Sequence, residues 1–228
     1  MAESAKNKAR SSRREFLVAA SGASALLTTR NARAAPSPRP ARGTAMDLER
    51  FVADCVAANR ESAPQAAVLE VLARAVRNAA AVRAALGRTL EAAIRVLHRS
   101  KTLTIFSATW APNMNLMPHD HRMWAAIGIY AGREDNILWQ RAPGRIAASG
   151  AKALFEGDAV ALPVDAIHSV TNPLSRFTGG IHVYGGDFFD TTRSQWNPET
   201  LDEEPSDGET IRAIFQRENE RMRRCGEP

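Results

Sequence analysis

Hydrophobic residues recur with a helical period in the part of the chain that follows residue 46. They fall at intervals of three and four residues, and the first stripe consists of Leu48, Phe51, Val52, Cys55 and Val56. Such spacing puts apolar side chains on one face of an amphipathic helix. Pro64 and Gly87 delimit a second stripe of this kind, and residues 89–98 favour a third, shorter helix. The pattern therefore predicts a helical segment over residues 47–98.

The pattern changes after Lys101 to short runs that are rich in β-branched and aromatic residues. Turn residues separate seven such runs, which are residues 103–110, 124–130, 136–139, 153–155, 159–162, 166–170 and 180–184. Short strands at nearly even spacing are typical of a small β-barrel or jelly roll. We predict a mainly β fold with its barrel in residues 99–190. Residues 191–228 are predicted to form a polar loop and a C-terminal helix, the helix over residues 207–224.

The N-terminal residues carry the features of an export signal. The run S-R-R-E-F-L at residues 12–17 matches the twin-arginine signature, and A-R-A at residues 32–34 is a small-x-small cleavage site. The apolar run between them is too short and too polar to anchor in a bilayer. We expect a twin-arginine signal peptide over residues 1–34, cleaved near Ala34, and a proline-rich linker over residues 35–46. The twin-arginine export machinery would be a partner, and the mature protein would be periplasmic or secreted without a permanent membrane anchor.

Composition and charge exclude several classes of protein. The chain has 228 residues, of which 44% are hydrophobic, and its formal net charge is +5 at pH 7. Residues 1–34 contain seven basic and two acidic residues, so the rest of the chain has a net charge of zero. Because phosphate binding requires a basic surface, we expect no nucleic-acid partner. Two cysteines, Cys55 and Cys225, are too few for a disulfide scaffold or an all-cysteine metal site, and whether they pair stays open.

Three of the five histidines form a candidate metal site. His119 and His121 flank Asp120, and residues two apart on an extended chain point to the same side. We place both at the head of the strand that continues to Tyr130. Two imidazoles hold a divalent ion weakly, so His168 in a later strand is the expected third ligand. Three imidazoles suit Fe(II), Zn, Ni, Cu or Co, and they leave positions open for a substrate and dioxygen.

A longer set of motifs surrounds these histidines. It consists of Trp110-x-Pro112, Pro118-His119-Asp120-His121, Trp124, Ile127-Gly128, Gly132, Gly157-Asp158, His168 and Ile181-His182-Val183-Tyr184. In this combination, roughly residues 100–190 resemble the thiol dioxygenase branch of the cupin superfamily, which contains cysteine dioxygenase and the bacterial 3-mercaptopropionate dioxygenases. The resemblance implies a cupin barrel, also called a double-stranded β-helix, with a mononuclear non-haem iron. It implies insertion of O2 into a small thiol to give a sulfinate.

The resemblance also implies roles for individual residues. His119, His121 and His168 would bind one Fe(II) ion, while Zn, Ni and Mn stay open. His182 and Tyr184 match an outer His-x-Tyr pair in which the phenol hydroxyl points at the bound substrate and dioxygen. Three neutral ligands also favour an anionic donor from the substrate, such as a thiolate.

Three positions depart from the pattern of this branch. Gly180 stands where a serine often extends the His-x-Tyr pair, and residues 125–127 contain no cysteine of the kind that animal enzymes cross-link to the tyrosine. In this branch, a hairpin carries the carboxylate-binding arginine, and the sequence of this chain does not predict that hairpin. Arg99 is our candidate for that role and Arg122 is its rival, because a planar guanidinium can donate two hydrogen bonds to one carboxylate.

Two other functions stay open at this point. The same histidines would serve another cupin metalloenzyme with a different metal and substrate. A non-catalytic periplasmic protein that binds a metal or a small ligand would also use them. Metal content distinguishes the first of these from the thiol dioxygenase, and the effect of Tyr184→Phe on activity distinguishes the second.

Overall fold

The computed structural model describes residues 44–87 and 90–226. The predicted signal peptide and the predicted linker up to residue 43 lie outside these residues. The helices within the described ranges are α1 (Leu48–Ala58), α2 (Pro64–Arg77), α3 (Ala79–Leu86) and α4 (Gly208–Cys225). The strands are β1 (Ala93–Arg99), β2 (Thr104–Trp110), β3 (Asn115–Asp120), β4 (Ala125–Ala131), β5 (Arg133–Ala142), β6 (Arg145–Phe155), β7 (Ala159–Leu162), β8 (Ile167–Thr171), β9 (Thr178–Tyr184), β10 (Ser194–Trp196) and β11 (Glu203–Pro205).

The N-terminal helices begin at residues that favour the start of a helix. Asp47 caps α1, because its side chain accepts a hydrogen bond from the backbone N–H of Arg50 at 2.9 Å. Pro64 lies in the first turn of α2, where its missing N–H costs nothing. Asn78 caps α3 by accepting a hydrogen bond from the backbone N–H of Ala81. In the part of the chain that the structure describes, no helix is both long and apolar enough to cross a membrane.

Two antiparallel sheets form the rest of the fold. One has the strand order β1-β2-β9-β4-β7, and the other has the order β11-β10-β3-β8-β5-β6. Between β2 and β9, the chain alternates between the sheets except at the β5–β6 hairpin, and such alternation is typical of a jelly roll. The predicted mainly β fold, with helices before the strands and a helix after them, is confirmed.

Successive residues of the first sheet face two different cores. In β2, Phe106 lies in the core between the sheets, while Ile105 lies in the core under the N-terminal helices. In β9, Tyr184 faces the space between the sheets, and Val183 faces the helices. His182 is likewise on the inner side, since its ring stacks on that of Phe106. The space between the sheets therefore encloses polar side chains as well as apolar ones.

The helix α2 packs very closely on β4. Its buried face contains Val68, Leu72 and Val76. A Cβ atom added to Gly128 of β4 would lie 2.9 Å from Leu72 Cγ and from Val76 Cγ1. A glycine at this position therefore permits the distance between helix and sheet.

Most of the stretch from residue 89 to residue 98, which the sequence predicts as a helix, lies in the strand β1 instead. The N-terminal helices end at Leu86, and β1 pairs with β2 in an antiparallel hairpin. Pairing with the edge of β2 outweighs the modest helical preference of this stretch. The helical segment therefore ends before residue 98, and the hairpin that the sequence does not predict is present.

The strand predicted over residues 119–130 is divided in two. β3 ends at Asp120 and β4 begins at Ala125. Between them, Arg122 has the left-handed conformation with φ of 54°, which reverses the chain from one sheet toward the other. Proline is a poor strand residue, but Pro118 fits into β3 because the register with β8 shifts at this point.

The two cysteines do not form a disulfide. Cys55 is buried in α1 and Cys225 is exposed at the end of α4. Burial raises the pKa of the Cys55 thiol to about 12. This thiol therefore remains protonated and contributes to packing.

Candidate metal centre and active site

Three histidine side chains converge between the sheets. His119 pairs with His168 across β3 and β8, and His121 follows β3 directly. The ring centroids are 4.6 Å apart for His119 and His168, 4.8 Å for His121 and His168, and 5.1 Å for His119 and His121. One nitrogen from each ring lies within 4.8 Å of the others, and all three residues are buried. This arrangement can hold a metal ion.

Hydrogen bonds orient two of the three rings. His168 Nδ1 contacts Asn136 Oδ1 at 2.6 Å, and His119 Nδ1 contacts the backbone carbonyl of Met117 at 3.0 Å. A carbonyl oxygen only accepts, so each Nδ1 carries the proton and each Nε2 presents a lone pair. Hydrogen bonds of this kind commonly fix the tautomer and orientation of metal-binding histidines.

Burial keeps the three imidazoles neutral. Loss of water around the ring lowers the pKa of His119 to about 4. Burial also lowers the pKa of His121 and His168 well below the ordinary value, and repulsion from the neighbouring histidines adds to the effect. Neutral imidazole is the form that binds metal. The Nε2 atoms of His121 and His168 are 3.1 Å apart, so the donor set fits one divalent cation between them.

A small cavity adjoins this cluster. Its volume is about 30 Å³, and its walls are Ile94, Phe106, Trp110, Leu116, His119, His168, Val170, His182, Tyr184, Phe188 and Ile211. Most of these side chains are apolar, and Ile211 belongs to α4, which therefore helps to close the cavity. The site is a largely dry space in which electrostatic interactions are strong.

The predicted pair His182 and Tyr184 lies beside the cluster. The Tyr184 ring is 4.9 Å from the His121 ring, centroid to centroid. The Tyr184 hydroxyl is 3.4 Å from His182 Nδ1. Burial raises the pKa of Tyr184, so its hydroxyl keeps its proton and can donate a hydrogen bond.

The structure does not bring Arg99 or Arg122 to this cavity. Arg99 lies at the end of β1, where it is half exposed and forms an ion pair with Asp187 at 2.8 Å. Arg122 is also half exposed and pairs with Asp120 at 2.7 Å. Asp120 in turn accepts a hydrogen bond from the backbone N–H of Ser194. Arg122 therefore supports the turn between β3 and β4 and its contact with β10.

A different arginine, Arg193, lies behind Phe188, which is one of the cavity walls. Arg193, just before β10, is only 7% exposed, and its guanidinium carbon lies 3.9 Å above the ring of Phe188. Its Nε and Nη1 atoms are buried without a hydrogen-bond partner among the described residues. An unpaired buried cation is costly, so this guanidinium is suited to receive an anion. Arg193 is an isolated basic residue in a polar segment, and nothing in the sequence singles it out.

Glu134 and Asn136 are two further buried polar residues that the sequence analysis does not identify. Both lie on β5 and face inward. Glu134 accepts hydrogen bonds from Trp110 Nε1 at 2.8 Å and from Asn136 Nδ2 at 3.1 Å. Asn136 is also the partner of His168. Their alternate spacing within a strand is a weak signal, because R-E-D-N in the sequence equally suits a polar turn.

Comparison with known proteins yields similarities of fold. No family model matches the chain. An RmlC-like cupin family protein with a double-stranded β-helix fold from Methanocaldococcus jannaschii is 13% identical over 44% of this chain and 84% of its own, with a TM-score of 0.38. A cupin superfamily protein from Desulfitobacterium hafniense is 13% identical over 49% and 89%, with a TM-score of 0.37. A cupin domain from Bordetella pertussis is 16% identical over 43% and 96%, with a TM-score of 0.33.

Proposed function

We propose that this protein is an exported mononuclear non-haem iron dioxygenase that converts a small anionic thiol to a sulfinate. The observation that carries the proposal is a cluster of three buried neutral histidines with no carboxylate ligand among the described residues, near a buried arginine two of whose nitrogens have no hydrogen-bond partner there. The first feature suits an ion that takes an anionic donor from the substrate. The second suits a further negative charge on the substrate. The resemblance of the sequence motifs to the thiol dioxygenase branch supports the choice of thiol and iron.

The overall reaction balances without a further reductant. Both atoms of O2 become bonded to the thiol sulfur, which loses four electrons while O2 gains four, and the thiol proton is released to give a sulfinate. His119, His121 and His168 would hold the iron. When bound, the iron would take the thiolate and O2 and would allow electrons to pass between them.

The residues around the cavity would bind the substrate and exclude water. Arg193 would pair with a carboxylate of the substrate, which removes the cost of its own burial. Phe188 holds the guanidinium from one side, and Phe106 and Val170 keep the cavity dry. Tyr184 would donate a hydrogen bond to the oxygen that is transferred, because its hydroxyl remains protonated at neutral pH.

Oxygen uptake by iron-loaded protein tests the proposal. The protein is loaded with Fe(II) without air and then given a panel of small thiols, with and without a carboxylate. We expect O2 consumption and sulfinate formation in a ratio of one to one for at least one carboxylate-bearing thiol. Absence of uptake with every thiol would refute the proposal. Zinc, nickel or manganese in protein from its native compartment would instead favour another metalloenzyme.

Substitution of Arg193 tests the assignment of the substrate anion. Arg193→Met should raise KM for a carboxylate-bearing thiol about 10- to 100-fold, the value of a hydrogen bond to a charged group, and should change KM for the matching amide much less. Arg99→Met and Arg122→Met are matched controls, since they remove an arginine outside the cavity. A larger effect of either control would reassign the anion site.

A further inference from the structure

Glu134 is a buried carboxylate that the proposed reaction does not use directly. It is fully buried on β5, and its ion-pair contact among the described residues is with His182, whose Nε2 lies 3.5 Å from Glu134 Oε2. Burial alone would raise the pKa of Glu134. Attraction to His182 and hydrogen bonds from Asn136 and Trp110 outweigh burial, so the pKa lies below its ordinary value. The side chain is therefore charged at neutral pH.

The Nε2 nitrogen of His182 faces the carboxylate of Glu134. Its Nε2 is buried without a hydrogen bond from the described residues, and the carboxylate oxygen Glu134 Oε2 lies 3.5 Å away as an ion-pair contact. Gly180 supplies no acceptor, and a Cβ atom there would crowd His182 Nε2 at 3.1 Å. Glu134 reaches the same nitrogen from the opposite sheet.

We propose that Glu134 is a positioning residue that keeps the proton of His182 on Nε2 and thereby turns His182 Nδ1 toward the Tyr184 hydroxyl. A carboxylate only accepts hydrogen bonds, so the nitrogen that faces it must donate. The other ring nitrogen, 3.4 Å from the Tyr184 oxygen, is then an acceptor that holds the hydroxyl hydrogen of Tyr184 until substrate and O2 bind, when the hydroxyl donates to them instead. The consequence for catalysis rests on the proposed function, whereas the position of the proton does not.

The same carboxylate also supports the candidate metal ligands. Asn136 donates to Glu134 Oε1 through Nδ2, and this contact leaves its Oδ1 facing His168 Nδ1. An asparagine side chain turned by 180° would place two donors against each other at His168. Glu134 therefore fixes Asn136 in the orientation that presents the lone pair of His168 Nε2 to the centre. One residue orients both a ligand and the tyrosine.

Nitrogen NMR on protein loaded with zinc, which is diamagnetic, tests the inference without any turnover. In wild-type protein with ¹⁵N-labelled histidine, we expect a one-bond ¹⁵N–¹H signal from His182 Nε2. Glu134→Gln should weaken or remove this signal, and Glu134→Asp should retain it. Glu156→Gln removes a carboxylate on the surface and should match wild type. Absence of the Nε2 proton in wild-type protein would overturn the inference, even where no variant folds.

Kinetics of the same variants then separate the inference from the proposed function. In iron-loaded protein, Glu134→Gln should lower kcat about 10- to 100-fold, as substitutions of residues behind a metal site commonly do, with KM changed little and metal content retained. Glu134→Asp should restore part of kcat. If the Nε2 proton depends on Glu134 but the protein oxidises no thiol, only the proposed function is contradicted. An unchanged kcat in Glu134→Gln would contradict the positioning role alone.

Discussion

At the scale of single residues, the site is a set of polar groups whose charge is decided by burial. His119, His121 and His168 lose the water that would stabilise an imidazolium, and their mutual repulsion disfavours it further. Glu134 and Arg193 are buried too. Glu134 has three partners, whereas two nitrogens of Arg193 have none in the part of the chain that the structure describes. The histidines can therefore bind a cation, and the arginine can bind an anion.

Removal of one histidine should abolish metal binding. In His168→Ala, the two remaining imidazoles hold a divalent ion weakly, so we expect metal content after dialysis to fall from about one ion per chain to nearly zero. Elemental analysis measures it. The matched control is His98→Ala, which removes the histidine of β1 and should retain the metal. Equal metal content in the two variants would place the ion elsewhere.

Acid should destabilise the metal-free protein through the buried histidines. The folded pKa of His119 is about 4, below the unfolded value near 6.5, so the unfolded chain binds more protons between these pH values. Stability then falls as pH is lowered, by about 3 kcal/mol from His119 alone between pH 7 and pH 4. Urea unfolding at several pH values measures the slope. His119→Gln should show a smaller slope over this window, and an equal slope would contradict the neutral state assigned to His119.

At the scale of elements, the position of the site depends on strands that approach from both sheets. β3 and the residue directly after it supply His119 and His121, and β8 supplies His168. β9 supplies His182 and Tyr184, and β5 supplies Glu134 and Asn136. The helix α4 helps to close the cavity, and its residue Asn219 contacts the chain just before β1. This side chain bonds both the N–H and the carbonyl of Ala92, at 2.6 and 2.9 Å.

The close contact between α2 and β4 predicts a strong penalty for a single methyl group. Gly128→Ala would place Cβ 2.9 Å from two side-chain carbons, and overpacking of this kind costs about 1–3 kcal/mol. Gly150→Ala is the matched control, because the nearest atom to its added Cβ is 3.8 Å away. Chemical unfolding of both variants compares the free energies. Similar stabilities would show that α2 shifts freely on the sheet.

The elements differ in how far the sequence predicts them. The alternation and turn residues after Lys101 indicate strands correctly, because both signals are local. The sequence misassigns residues 89–98, since the strand β1 depends on pairing with β2 rather than on its own residues. Likewise Pro118 conceals β3, which exists because β8 accepts a shift in register.

The same distinction applies to the candidate site. The spacing of His119 and His121 is a local signal, and His168 follows from the motifs around it. Arg193 and Glu134 carry no such signal, because their meaning comes from burial beside residues distant in sequence. Arg99 and Arg122 lie at more suggestive places along the chain, yet Arg99 pairs with Asp187 and Arg122 with Asp120, outside the cavity.

At the scale of the whole molecule, the predicted signal peptide and the candidate centre support each other. The twin-arginine route carries proteins that are already folded, so a metal bound in the cytoplasm would be retained during export. We therefore propose that the mature protein works outside the cytoplasm with its ion already in place.

Cell fractionation tests this location. Replacement of Arg13 and Arg14 by lysine should leave the full-length protein in the cytoplasm, since the paired arginines are the recognition feature of the route. Wild-type chain should appear in the periplasm or the medium, shortened near Ala34. Lys6→Arg and Lys8→Arg together are the matched control, since they also exchange two basic residues with the charge kept but leave the arginine pair intact, and they should not change location. Export of the lysine variant at the wild-type level would contradict the prediction.

The proposed function depends most on one ion held by three imidazoles between the two sheets. Anomalous diffraction at the iron edge, from crystals of protein loaded with Fe(II) without air, locates that ion directly. We predict a single peak about 2 Å from one ring nitrogen of each of His119, His121 and His168. A peak bound by other residues, or no peak between these rings, would contradict it.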